Sequence, residues 1–207
     1  MTVCLPLGCF RWQALIVDHG LKACFLVASP SLQCPFFNHT VVLLVDHRDD
    51  GALGFVVNKP SDVDFEEILD QIGLEDATIP GSTAVMLGGP VSPNTGWVVF
   101  DPTRKCADRE GVLVVGDKTV EQVGVSANMD LLEDIAKGDG PSRFVMMLGY
   151  AGWGPGQLDD EIRDGAWIPV DLDPKLVFET PVDDRWNAAL STLGIDPARV
   201  VSGPAVA

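Results

Sequence analysis

Residues 149–167 read Gly-Tyr-Ala-Gly-Trp-Gly-Pro-Gly-Gln-Leu-Asp-Asp-Glu-Ile-Arg-Asp-Gly-Ala-Trp and constrain the fold more than any other stretch. They follow an apolar run, Phe144 to Leu148, with the length and composition of a buried strand. Gly149, Gly152, Gly154 and Gly156 permit positive φ or close backbone approach, so a glycine-rich turn is expected here. Pro155 suits the first turn of a helix, where the N–H it lacks would have no partner. From Gln157 to Asp164, Leu158 and Ile162 lie four apart and give one apolar face. Gly165 can end the helix. The expected unit is strand, glycine-rich turn, short helix.

Such an order invites a phosphate-binding reading, because helix N-termini attract anions. Three features oppose it. No Gly-Lys-Ser/Thr follows the glycines, and their spacing is not that of the dinucleotide fingerprint. Asp159, Asp160 and Glu161 also place negative charge near the start of the helix, where it would repel a phosphate.

The chain has 207 residues, 46% hydrophobic and 21% charged. That is enough for one domain whose core needs no disulfides. Its 30 acidic and 14 basic residues give a formal net charge of −16. This balance opposes binding to nucleic acid by phosphate neutralisation, and to anionic membranes. Arg104, Lys105 and Arg109 form the one dense basic cluster, in an expected loop. They are the candidate nucleic-acid contacts if a local patch overrides the overall field.

The cysteines, Cys4, Cys9, Cys24, Cys34 and Cys106, are odd in number and contain no Cys-x-x-Cys. They do not fall at zinc-site spacing with His19, His39 and His47. Free thiols in a reducing cytosol are expected, with Cys24 acting as a core hydrophobe. Residues 1–10 carry no Lys or Arg, so they lack the basic start of a signal peptide. No apolar run approaches the roughly 18 residues of a membrane span. A cytoplasmic protein is expected.

Along the chain, residues 21–28 read as a buried strand that Ser29-Pro30 ends. Residues 41–45 and 54–57 read as a hairpin joined by an acidic turn over 46–51. Phe65, Ile68, Leu69 and Ile72 form a helical stripe, with Ser61 or Asp62 as its cap and Gly73 as its end. Residues 84–87, 97–100 and 112–115 read as strands. Residues 128–137 read as a second helix with Met129, Leu132 and Ile135 or Ala136 inward. Residues 177–178 read as a short strand, and 183–193 as a last helix with Trp186, Ala189, Leu190 and Leu193 on one face. Strands and helices interleave without strict βαβ alternation, so a mixed sheet with helices on its faces is expected. Residues 1–19 and 197–207 read as an extension and a tail around a domain spanning 20–196. The extension is expected to be a misassigned start rather than a folded appendage.

Catalytic constellations do not emerge. No Gly-x-Ser-x-Gly occurs, and the pattern sets no Ser or Cys beside His39 or His47, which flank a strand. Each reads as a hydrogen-bonded structural residue. Two acidic groups invite a metal: Asp46, Asp49 and Asp50 in the hairpin turn, and Asp159, Asp160 and Glu161 on the helix. The first lacks the ligand order of a calcium loop. In the second, Asp159 and Asp160 point in different directions. Both read as solvated acidic faces, so no metal, cofactor or catalytic residue is assigned. Trp153 and Trp167 are the tryptophans expected closest to the surface, where an aromatic can anchor a partner.

The segment Gly149-Tyr-Ala-Gly-Trp-Gly-Pro-Gly-Gln-Leu158, with Glu161 and Ala166-Trp167, resembles the bacterial AlgH/YqgE family. So do Ser29-Pro30, Val41-Val-Leu-Leu44, Gly51-Ala-Leu-Gly54, Asn58-Lys-Pro60, Gly88-Gly-Pro-Val91, and Phe178 through Pro181 to Trp186. In order, these cover about residues 21 to 195. The resemblance implies a cytosolic bacterial protein with a mixed α/β (α+β) fold: a single domain with a bent, partly barrel-like mixed β-sheet flanked by helices. It implies no catalytic residue, because the family has no established enzymatic activity. Its members are often labelled transcriptional regulators. Family members commonly carry His where this chain has Phe100, so any chemistry of that His would be lacking here.

Together these observations point to a non-enzymatic regulatory or adaptor protein with a protein partner. Its working surface is expected around Trp153, Gln157, Asp160, Glu161 and Trp167. The alternatives are direct nucleic-acid association through Arg104, Lys105 and Arg109, and a metal-dependent hydrolase or nuclease built on the carboxylates.

Overall fold

A computed structural model describes residues 21–74, 83–102, 104–116 and 122–195. The extension 1–19 and the tail 197–207 lie outside the described residues. Among those described, the strands are β1 (Cys24–Ala28), β2 (Val41–Arg48), β3 (Gly51–Val56), β4 (Val85–Leu87), β5 (Val91–Phe100), β6 (Val112–Val115), β7 (Val123–Ser126), β8 (Phe144–Trp153) and β9 (Trp167–Asp171). The helices are α1 (Phe65–Gln71), α2 (Arg104–Ala107), α3 (Met129–Ala136), α4 (Gln157–Arg163), α5 (Lys175–Phe178) and α6 (Arg185–Thr192), with a 3₁₀ turn, Val182–Asp184, before α6. The strands form one sheet in the order β6-β7-β5-β8-β3-β2-β1-β9, every neighbour antiparallel. β4 lies off this path and pairs with β8 in parallel, which makes the sheet mixed.

The sheet curls into a half-barrel. All nine strands send a side chain into one inner core, from Phe25, Leu43 and Phe55 at one side to Val115 and Val123 at the other. Leu176 and Val177 of α5 and Trp186, Ala189 and Leu190 of α6 close it. Two short helices can cover so many strands because the right-handed twist bends the sheet around them. The outer face is divided. On one half, Leu26, Val42, Leu44, Val56, Ala151 and Trp153 pack with Leu158 of α4. On the other, Val98, Phe100 and Met146 pack with Phe65 and Leu69 of α1 and with Leu131, Leu132 and Ile135 of α3.

β8 belongs to all three cores. Val145 and Met147 join the inner core and Met146 the outer one. Beyond Gly149 the parity reverses, and Ala151 and Trp153 lie outside. Strict alternation would have put both inside. The reversal is a bulge: Gly149 has φ +69°, and the β5 register jumps there from Gly96–Leu148 to Val91–Tyr150. The backbone is also crowded at this point. A Cβ on Gly149 would lie 2.5 Å from the Gly89 carbonyl oxygen and 2.8 Å from that of Val91. One on Gly88 would collide with the Gly149 carbonyl oxygen, and one on Gly89 with the backbone of Tyr150. Gly88-Gly-Pro-Val91 and Gly149-Tyr-Ala-Gly-Trp153 are two halves of one interlocked contact.

Several expectations are corrected. Residues 149–153 are strand rather than turn, because Gly149 serves backbone approach rather than chain reversal and Gly152 lies within the extended strand. The turn is confined to 154–156, and Pro155 precedes the helix, whose N-cap is Gly156 at φ +71°. Gly165, at φ +77°, ends it as expected. Residues 177–178 close the short helix α5, with the N–H groups of Val177 and Phe178 both donating to the Pro174 carbonyl at 3.0 Å. The hairpin strands run on through the acidic segment, so Asp46 pairs with Leu53 and only Asp49 and Asp50 turn. Asp64, not Ser61 or Asp62, precedes α1. Arg104 and Lys105 open α2 instead of lying in a loop.

Candidate functional site

The α4 side of the sheet gathers most of the expected surface residues. β8 ends with Trp153 beneath α4, and β9 begins with Trp167 beside it. Their rings meet edge to face, 5.9 Å apart at 80°. Both are buried, at 7% and 3% exposure. The tryptophans expected closest to the surface are thus packed beneath α4 rather than offered to solvent. The bulge at Gly149 turns Trp153 under the helix, and both indoles find an acceptor there. Trp153 Nε1–H and Trp167 Nε1–H donate to the same oxygen, Glu161 Oε2, at 2.9 and 2.7 Å. Gln157 Nε2 donates to Glu161 Oε1 at 2.8 Å, and Gln157 Oε1 accepts from Gly154 N–H at 3.1 Å. Gln157 and Glu161 are one helical turn apart, so they share a face of α4.

Trp153, Gln157, Glu161 and Trp167 are thus brought together. Asp160 is not: it stands in solvent and pairs with Arg163 at 2.5 Å. Three donors engage the Glu161 carboxylate. It is a hub that fixes α4 on the sheet, and it supplies the acceptors that buried indoles need.

His47, which the spacing marks as structural, joins the same region. Its side chain is 7% exposed, and its Nε2 lies 3.4 Å from Asp159 Oδ2. Its Nδ1 accepts from the Leu21 N–H at 2.9 Å. Both partners are distant in sequence, so no local pattern announces them.

The other motifs resolve into fold devices. Asn58 Oδ1 accepts from Val41 N–H at 2.8 Å, and its Nδ2 donates to the His39 carbonyl at 2.9 Å. Arg185 is 5% exposed. Its guanidinium donates to the carbonyls of Thr180 at 3.0 Å, of Val177 at 2.6 Å, and of Val57. Burial lowers its pKa to about 10. Trp186 Nε1–H donates to the Ala28 carbonyl at 2.9 Å. Phe100 is fully buried, and a Cβ on Gly124 would lie 2.5 Å from its ring. The position at which the resemblance leads one to expect His is interior.

The basic alternative is weakened at Arg109, which pairs with Asp134 of α3. The side chains of Arg104 and Lys105 lie outside those described. A cavity of about 670 Å³ beside Arg109 is lined by Glu110, Asp130, Glu133 and Asp134, the wrong sign for a phosphate. Among the described residues, no group of three His, Cys, Asp or Glu side chains is arranged to hold a metal, and no helix is long and apolar enough to cross a membrane. Cys24 and Cys34 are free thiols.

The half-barrel with its interlocked glycine segments defines a single α/β domain of one recognisable kind. The chain belongs to the AlgH-like family, which it matches over residues 25–198. A UPF0301 protein of Burkholderia mallei strain SAVP1 is 40% identical over 182 residues, covering 87% of this chain and 92% of the relative. One from Burkholderia pseudomallei strain K96243 matches to the same degree. The solution structure of the AlgH protein from Pseudomonas aeruginosa superposes with a TM-score of 0.71 at 33% identity, covering 94% of this chain and all of that one. A crystal structure of a protein from Corynebacterium diphtheriae, at 21% identity and TM-score 0.70, shares the fold and covers 89% of this chain and 93% of its own.

Proposed function

We propose that this protein is a non-enzymatic adaptor that binds a protein partner over the outer face of α4 and the turn leading into it. The observation that supports this reading is the Glu161 hub. It anchors a helix of seven residues through two indoles and an amide, while Asp160, Arg163 and Asp164 stay exposed on that helix and at its end. A rigid helix with a polar outer face suits recognition. In a molecule of net charge −16, the complementary partner surface is basic. A regulatory role would be exercised through that partner rather than through direct contact with DNA. The free thiols agree with a cytoplasmic setting.

The test is partner capture by the wild type and by the double variant Asp160→Lys, Asp164→Lys, with and without nuclease. The double variant should melt close to wild type, since exposed substitutions rarely exceed about 0.5 kcal/mol, yet lose the partner. Retention of every partner by the folded variant would sink the proposal. Capture that disappears with nuclease would move the case to Arg104, Lys105 and Arg109.

A further inference from the structure

A buried neutral imidazole carries its proton on one nitrogen, and its partners decide which. In His47, Nδ1 lies 2.9 Å from a donor, the Leu21 N–H. Nε2 lies 3.4 Å from an acceptor, Asp159 Oδ2. Neutral His47 is therefore the Nε2–H tautomer. A second proton has one place to go, Nδ1, and there it would set donor against donor. We propose that His47 is a proton-operated latch on the segment leading into β1. The neutral ring holds Leu21 to β2, and the imidazolium lets it go while drawing closer to α4 through Asp159.

The surroundings fit a local latch. Leu21 and Lys22 are exposed, and sheet pairing of this segment begins at Cys24. The His47 side chain is 7% exposed, so water cannot replace the Leu21 N–H without movement. The charged groups around the ring come from each packed element. α4 brings Asp159, β3, Gly51-Ala-Leu-Gly-Phe-Val56, brings none, and Lys22 of the released segment is exposed. On β2 itself, Asp46 and Arg48 are paired with each other at 2.8 Å.

Heteronuclear NMR on the full chain tests this between about pH 8 and about pH 5, where histidines ordinarily take their second proton. At the upper end, ring ¹⁵N shifts should show a protonated Nε2 and a bare Nδ1. On acidification the Leu21 amide should move in step with the ring. Its hydrogen-exchange protection factor should fall roughly three- to tenfold, the equivalent of one hydrogen bond. Amides of β8 should keep theirs. His47→Asn places an oxygen acceptor where Nδ1 stood and takes no proton, so Leu21 should stay protected throughout. An Nδ1–H tautomer at high pH, a Leu21 amide indifferent to the ring, or a ring that stays neutral until the protein unfolds would each overturn the proposal. If the Asn variant does not fold, the wild-type titration decides alone.

Discussion

At the scale of single residues, Glu161 carries the largest polar responsibility. Glu161→Ala leaves the Trp153 and Trp167 N–H groups buried without their acceptor. Each orphaned donor costs about 1–3 kcal/mol, so the melting temperature should drop by several degrees, at about 2–4 °C per kcal/mol for a chain of this size. Trp167→Phe removes one donor and keeps a ring, and should lose less. Thermal melts followed by circular dichroism separate the two. Cys24 gives a second prediction. Burial, aided by the charge of Asp171, pushes its thiol up from 9.0 to about 11. The folded protein keeps this proton where the unfolded chain has lost it. Stability from this group is therefore complete below about pH 9 and declines from there through about 11. Cys24→Ala should flatten that decline in denaturation curves. In labelling at mildly alkaline pH, Cys34, which is partly exposed, should react long before Cys24.

At the scale of elements, the interlock between the β4–β5 connection and β8 separates glycines that look alike in sequence. Gly89→Ala would drive a Cβ into the Tyr150 backbone, which cannot yield. Gly152→Ala meets nothing nearer than the Tyr150 ring at 3.4 Å. The first should destabilise by more than about 3 kcal/mol, and the second by less than about 1 kcal/mol, against the usual spread for point mutants. Urea unfolding of both variants checks the contrast. The same glycines show where legibility ended. A glycine required for close approach and one required for a turn leave the same letter, and the bulge breaks the two-residue period, so the strand was legible only to Leu148. β9 escaped notice because Pro169 argues against a strand, and only its place at the sheet edge admits one. Helices α1, α3 and α6 were legible because each buries an apolar stripe, although Leu193, expected on that of α6, lies just past its end and is 42% exposed. Trp153, Gln157, Glu161 and Trp167 were legible as a group. Their burial was not, since the face that Trp153 takes depends on the parity set at Gly149.

At the scale of the whole molecule, Arg185 ties the closing helices to the sheet. It reaches Thr180, Val177 at α5, and Val57 just past β3. Arg185→Lys keeps the charge but replaces a planar fork with one ammonium that cannot serve three carbonyls in different directions. A loss of about 2–4 kcal/mol is expected, at the scale of one or two hydrogen bonds to a charged group. Equilibrium denaturation is the measurement. Loss of α6 packing before global unfolding would show as a separate early transition, because α5 and α6 close only the inner core.

The parity switch at Gly149 also bears on descent. From Met147 to Trp153 the chain passes from the inside of the half-barrel to the outside in a fixed number of steps. One residue more or fewer would carry Trp153 indoors and leave Glu161 facing an empty slot. Homologues that vary freely in their connecting loops should therefore align through this stretch without a gap. Here the length of the segment matters as much as its letters, because packing, and not chemistry, keeps count.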